Sequence, residues 1–292
     1  MSFGVVGVGV MGSNIARCLS SRGYKVNLYS RDFEKTQRIA LEIGGRAYDN
    51  VKKLIEDSDA TILFVTDDKA VLDTALSIAS RGSTRRSLVL NASTITPSTS
   101  TTAMNILRRA GVAYIEAPVY GSADEARECR LVSIVAGEKT LFEENKRFIE
   151  SYSQRIFYVG EIPRAMVLKL ALNHVGLALP ALLAEALALL VAWGVDIDLF
   201  REIAEILWFG QLIDRYWGRI FEDKPPRFKL WMAGKDYACI SRALKEKKIP
   251  SIVAEALSTI YMIPSTTEYR DKDYPQIARY FIELAKSVRE QE

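Results

Sequence analysis

In the stretch PRAMVLKLALNHVGLALP (residues 163 to 180), Lys169 is the one charge past Arg164, and Asn173 and His174 are the only other strongly polar side chains. Residues four apart share a helix face, so Lys169 and Asn173 project side by side. An unpaired buried ammonium is costly or gives up its proton, and desolvation moves a lysine toward neutrality, where it both donates and accepts protons. The pair therefore has the character of an acid–base site. The alternative reading is a lysine near the helix start that snorkels to solvent.

A second constellation opens the chain. VVGVGVMGSNIARCL places Gly7, Gly9 and Gly12 as GxGxxG between a strand pattern and a helix pattern, with Val10 and Met11 inside the motif. Gly7 permits the tight turn, Gly9 lets backbone approach a pyrophosphate, and Gly12 lets helix and strand pack closely, while the helix N-terminus offers N–H groups to the anion. The second strand pattern, KVNLYS, ends on Ser30 and Arg31 where an NAD site usually carries a carboxylate for the ribose. An Arg fork binds a 2′-phosphate and a carboxylate repels it, so Arg31, with Lys35 one turn on, favours NADP and leaves NAD at lower affinity. Asp32 stands one or two places late for the ribose; a solvated Arg31 at the start of a surface helix is the competing reading.

These residues need a scaffold, and the patterning supplies one. FGVVGV, KVNLYS, ATILFV, SLVLNAS, VAYIEAPV and LVSIVAG read as strands, mostly separated by amphipathic helices, which predicts a parallel α/β sheet. After RIFYVGEI only helical periods follow. The expected architecture is an N-terminal Rossmann doubly wound sheet (1–161) and a C-terminal all-α domain (162–292), joined by a long helix that starts at Pro163. Of the 292 residues, 49% are hydrophobic and 26% charged, as in a folded, soluble chain. A net charge of +3 argues against a nucleic-acid or anionic-membrane partner. Three cysteines without a CxxC pair read as buried thiols in a reducing cytosol, and one histidine leaves no structural zinc site. With no signal-peptide pattern before residue 3, a cytoplasmic protein is expected. Lys169, Asn173, His174 and Glu185 interrupt the apolar stretch from Ala165 to Trp193, which reads as a core helix and not a membrane span; apolar faces left over on it point to a homodimer or homotetramer.

Taken together, GVVGVGVMGSNIA, SRDFEK, NASTITP, EAPVYGS and LKLALN followed by GKD resemble, in order and over nearly the full length, the β-hydroxyacid dehydrogenases. That family includes 3-hydroxyisobutyrate and serine dehydrogenases and the glyoxylate/succinic semialdehyde reductases. The resemblance implies that Lys169 is the catalytic acid/base and that Asn173 orients the substrate. It sets Thr94, with Val65 and Thr66, at the cofactor, Lys235 of GKD closing over it, and Gly121, Ser122 and Tyr120 on the substrate carboxylate, with Ser93 nearby. Trp231 shares a helical face with Lys235 and is assigned to the substrate, core packing being the alternative. The implied activity is NADP-dependent oxidation of a small 3-hydroxy acid, L-serine or 3-hydroxyisobutyrate foremost. NADPH-dependent reduction of glyoxylate or succinic semialdehyde is the alternative, and a non-catalytic NADPH-binding protein is the reading from another class. The chain departs from the family at Tyr120, where a serine is usual, at ADEARECRL, which lacks the later glycines, and at EIPRAMVLK, where Arg164 reads as a surface residue or an extra carboxylate contact. His174 and Cys129 read as structural.

Overall fold

The computed structural model describes residues 1–80 and 87–290. In chain order the elements are β1 (Ser2–Val6), α1 (Val10–Ser21), β2 (Lys25–Tyr29), α2 (Phe33–Ile43), β3 (Arg46–Tyr48), α3 (Val51–Glu56), β4 (Ala60–Leu63), α4 (Asp68–Ala79), β5 (Leu88–Asn91), α5 (Pro97–Arg109), β6 (Ala113–Glu116), β7 (Val119–Tyr120), α6 (Ala123–Arg127), β8 (Leu131–Val135), α7 (Lys139–Glu150) and β9 (Ser153–Tyr158). Six helices follow: α8 (Arg164–Gly176), α9 (Ala178–Ala192), α10 (Ile197–Glu205), α11 (Gly210–Phe221), α12 (Leu230–Glu246) and α13 (Ile252–Met262). Short 3-10 turns lead from these to α14 (Ile277–Arg289). The chain forms two compact units, Met1–Leu170 and Ala171–Glu292. The division falls inside α8 and not after residue 161, because Ala165 and Met166 in its first turns are buried with the cores of the first unit.

In the first unit a six-stranded parallel sheet runs in the order β3-β2-β1-β4-β5-β6. β4 and β5 are buried at every position, as apolar strands covered on both faces should be. The strand order reverses between β1 and β4, which opens a crevice at the carboxyl ends of the strands. Asp32, Asp67 and Thr96 cap α2, α4 and α5 at that edge with side-chain oxygens.

Two expectations are corrected, and one strand was not foreseen. The strands do not all join one sheet: β7, β8 and β9 form a separate one, with β7 antiparallel to β8. The apolar run VAYIEAPV breaks at Pro118, which has no N–H for a ladder, and two residues of β7 leave no room for a crossover. β3, three residues long, was too short for its alternation to be read. Finally, Cys18 of α1 and Cys129 beyond α6 are not thiols; they form a disulfide with Cα atoms 5.5 Å apart. Their separation of 111 residues hid the pair, which only the packing of α1 on α6 creates. The cysteine-based argument for a reducing compartment goes with it.

In the second unit α9 packs along α14 and α12 along α13. Tyr237 and Tyr261 stack with centroids 5.9 Å apart, the Tyr261 hydroxyl donates to the Leu177 carbonyl (2.7 Å), and Arg219 forks onto Asp273 at 2.8 and 3.0 Å. The helical segment from Arg164 to Ala192 is not the buried core helix expected: about a third of its most apolar window is buried, and Leu182 and Leu189 are exposed. By length and composition alone its 29 residues would reach across a bilayer, so the polar interruptions do not shorten it as supposed.

Candidate functional site

The turn after β1 is shaped by its glycines. Gly7 has φ +97°, and a Cβ there would collide with the Phe64 carbonyl, as one on Gly12 would with the carbonyl of Gly7. A Cβ on Gly9 meets nothing within 4 Å, so this side of the loop is open to a ligand. Gly9 is the N-cap of α1 and no side chain caps the helix, which leaves the N–H groups of Val10 and Met11 available to an anion. The cradle thus fits a dinucleotide pyrophosphate.

Beyond β2, the Asp32 carboxylate accepts the Lys35 N–H at 2.9 Å as the N-cap of α2, and the Ser30 hydroxyl donates to the Asp32 carbonyl (3.0 Å) and pairs with Thr36 Oγ1 (2.8 Å). Both side chains are committed to starting the helix. Arg31 between them is exposed at the rim. Across the crevice edge, the Val65 N–H donates to Ser93 Oγ (3.0 Å), Ser93 Oγ donates to the Leu63 carbonyl (3.2 Å), and the Ser93 N–H donates to Asn91 Oδ1 (3.1 Å). Ser93 is therefore a brace between the loops after β4 and β5, where Thr66 and Thr94 lie half-buried.

Lys169 is 9% exposed, and its Nζ lies 4.3 Å from the centre of the Tyr120 ring, close enough for a cation–π contact. The phenol at the position where the resemblance sets a serine thus lies on Lys169 itself. The next residues behave differently from expectation. The Ser122 N–H donates to Glu125 Oε2 at 2.7 Å and the Ser122 hydroxyl donates to the same oxygen, forming a capping box at the start of α6. The Ser122 hydroxyl is the main reason the Glu125 carboxyl is held below its usual range. An internal carboxylate therefore engages the donors that the sequence assigned to a substrate carboxylate. Gly121, at φ +138°, makes the turn into this helix.

In the second unit Asn173 is 6% exposed, and its Nδ2 donates to Asp236 Oδ2 at 2.7 Å. Asp236, itself buried, pairs through Oδ1 with Lys235 Nζ at 2.7 Å. Lys235, Asp236 and Asn173 thus form one chain of contacts. The sequence reading missed Asp236 although GKD contains it; a carboxylate directly after a functional lysine was the available signal. His174 meets Tyr237 edge-on (5.6 Å), and its carbonyl accepts the Tyr237 hydroxyl (2.9 Å), a packing role. Trp231 lies under the Arg270 guanidinium at 5.3 Å.

Residues 2–160 match the model of the NAD binding domain of 6-phosphogluconate dehydrogenase. An uncharacterized oxidoreductase of Bacillus subtilis (strain 168), YfjR, is 28% identical over 242 residues, covering 81% of this chain and 84% of that protein. Human cytokine-like nuclear factor N-PAC is 26% identical over 286 residues; 96% of this chain is covered, but only 51% of N-PAC. Among solved structures, Mycobacterium tuberculosis 3-hydroxyisobutyrate dehydrogenase with L-serine superimposes with a TM-score of 0.80 at 16% identity, covering 96% and 98% of the two chains. Psf3 in complex with NADP+ and 2-OPP does so with a TM-score of 0.76 at 20% identity, covering 95% and 99%.

Proposed function

Because the chain belongs to the β-hydroxyacid dehydrogenase family, we propose that it is an NADP-dependent oxidoreductase that interconverts the hydroxyl of a small 3-hydroxy acid and the corresponding carbonyl. L-serine and 3-hydroxyisobutyrate are the leading substrates. The observation that carries this reading is the buried Lys169, which lies against Tyr120 and one helical turn before the buried Asn173. A bound nicotinamide supplies the hydride acceptor or donor. Gly7, Gly9, Gly12 and the first N–H groups of α1 would hold its pyrophosphate, and Arg31 the 2′-phosphate.

In the oxidising direction Lys169 takes the hydroxyl proton as hydride leaves the same carbon; in the reducing direction it returns that proton to the carbonyl oxygen. Asp236 Oδ2 accepts the amide nitrogen of Asn173, and the amide oxygen is the group that would receive the substrate hydroxyl. The ring of Tyr120 lies against Lys169 Nζ, where a cation–π contact is available to the ammonium that forms when Lys169 takes the substrate proton. Reduction of glyoxylate or succinic semialdehyde by NADPH uses the same groups in reverse.

The test is Lys169→Ala, assayed with NADP against L-serine and 3-hydroxyisobutyrate and with NADPH against glyoxylate and succinic semialdehyde. Turnover should be lost while NADPH still binds, as read by its fluorescence. Undiminished turnover would overturn the assignment, and a wild type that binds NADPH but turns over none of these would point to the non-catalytic reading.

A further inference from the structure

Glu116, the last residue of β6, is fully buried. Its Oε2 accepts the backbone N–H groups of Ala165 (3.1 Å) and Met166 (3.2 Å), in the first turn of α8. Such N–H groups have no partner within their own helix, so this carboxylate is what anchors the start of α8 to the main sheet. Lys169 follows Met166 by three residues, about 4.5 Å along the axis and within one turn. A shift of the first turn is therefore passed to Lys169 almost undiminished.

The backbone of Glu116 secures the other partner. Its N–H and carbonyl exchange hydrogen bonds with Ala136 at 2.9 and 3.1 Å, and from this bridge the chain passes through Ala117 and Pro118 into β7 and Tyr120. One residue thus ties the sheet both to the helix that bears Lys169 and to the strand that bears the ring against it. Its second oxygen, Oε1, is buried without a hydrogen bond among the described residues.

We propose that Glu116 is a positioning residue of the proton-transfer step, fixing the first turn of α8 and with it the placement of Lys169 against Tyr120. This rests on the reading of Lys169 as acid/base. Burial pushes the Glu116 carboxyl up to about 7, while the Ser100 hydroxyl and the two α8 N–H groups oppose the rise. The groups facing it are Ser100 from α5, Tyr114 from its own strand and those N–H groups. Tyr114 is kept protonated, first by burial and then by the charge of Glu116, so it adds no charge of its own. Above neutrality the carboxylate holds α8 by charge-assisted bonds; below it a neutral acid holds the same groups more weakly.

Glu116→Ala and Glu116→Gln are compared with wild type and Lys169→Ala. Glu116→Ala should lower kcat about 100-fold, the scale of an ångström-level misplacement, with the Kd for NADP unchanged within about twofold. Glu116→Gln keeps a carbonyl acceptor and should recover most of that loss, but without the acid limb near pH 7 expected in the kcat profile of the wild type. A folded Glu116→Ala with wild-type kcat overturns the proposal. If that variant does not fold, a wild-type acid limb in Glu116→Gln overturns it instead. Turnover by Lys169→Ala would sink the acid/base reading and this proposal together; an inactive Lys169→Ala beside a fully active Glu116→Ala would sink the positioning role alone.

Discussion

Replacing Arg31 with Asp should reverse the cofactor preference, and the structure sets the size of the effect. Two acidic or polar side chains flank Arg31, but Asp32 is spent on the Lys35 N–H and Ser30 on the Asp32 carbonyl and Thr36, so neither is directed at a ribose. Arg31 is left as the group at the end of β2 to meet a 2′-phosphate. A hydrogen bond to a charged group contributes about 1.5–3 kcal/mol and one decade corresponds to about 1.36 kcal/mol, so losing one such contact should raise the KM for NADP roughly 10-fold to 150-fold. Because Arg31 is exposed, screening at physiological salt favours the lower part of that range. Aspartate at position 31 would add repulsion against the phosphate and an acceptor for the NAD ribose, moving the KM ratio further. The assay is steady-state kinetics with NADP and NAD at fixed substrate, with Asp32→Ala as control. That control should lose about 1 kcal/mol of stability, the usual effect of removing an N-cap, and leave the ratio alone. Equal KM values for the two cofactors in the wild type would refute the reasoning, as would a ratio that moves with Asp32 and not with Arg31.

The Cys18–Cys129 bond closes a loop of 111 residues, for which chain entropy gives at most about 5 kcal/mol, or roughly 10–20 °C in Tm; calorimetry with and without reductant should show a drop, and an identical Tm would mean that the bond contributes nothing. Glu125→Ala should release the Ser122 donors and raise kcat/KM for carboxylate substrates by up to about 10-fold, the order of one freed hydrogen-bond pair. A fall would show that Ser122 does not receive the substrate carboxylate. The exposed Leu182 and Leu189 on α9 should be covered by self-association, so light scattering should report a dimer or tetramer, and a monomer at assay concentration would contradict that expectation.

Local signals in the sequence were enough for much of this. The glycine spacing, the alternation of strand and helix patterns, and a lysine and an asparagine four apart in an apolar helix each depend on residues within one or two turns of one another. The parallel sheet and the buried state of Lys169 and Asn173 agree with them. What was misread depended on partners distant in the chain. VAYIEAPV looked like one strand until Pro118 divided it between two sheets, and Cys18 gave no hint of Cys129.

The sequence by itself determined which groups are present: a glycine turn for a pyrophosphate, an arginine in place of a carboxylate after β2, and a lysine with an asparagine one turn on. Tertiary structure alone decided how those groups are engaged. Asp32 became a helix cap, Ser93 a loop brace, Ser122 a donor to Glu125 and Tyr120 a ring on Lys169. Glu116, which opens EAPVYGS but was given no role in the sequence, became the anchor of α8. The physical reason is that a polar side chain in a folded interior must satisfy its hydrogen bonds, and which partner it finds is set by the packing of elements from separate parts of the chain.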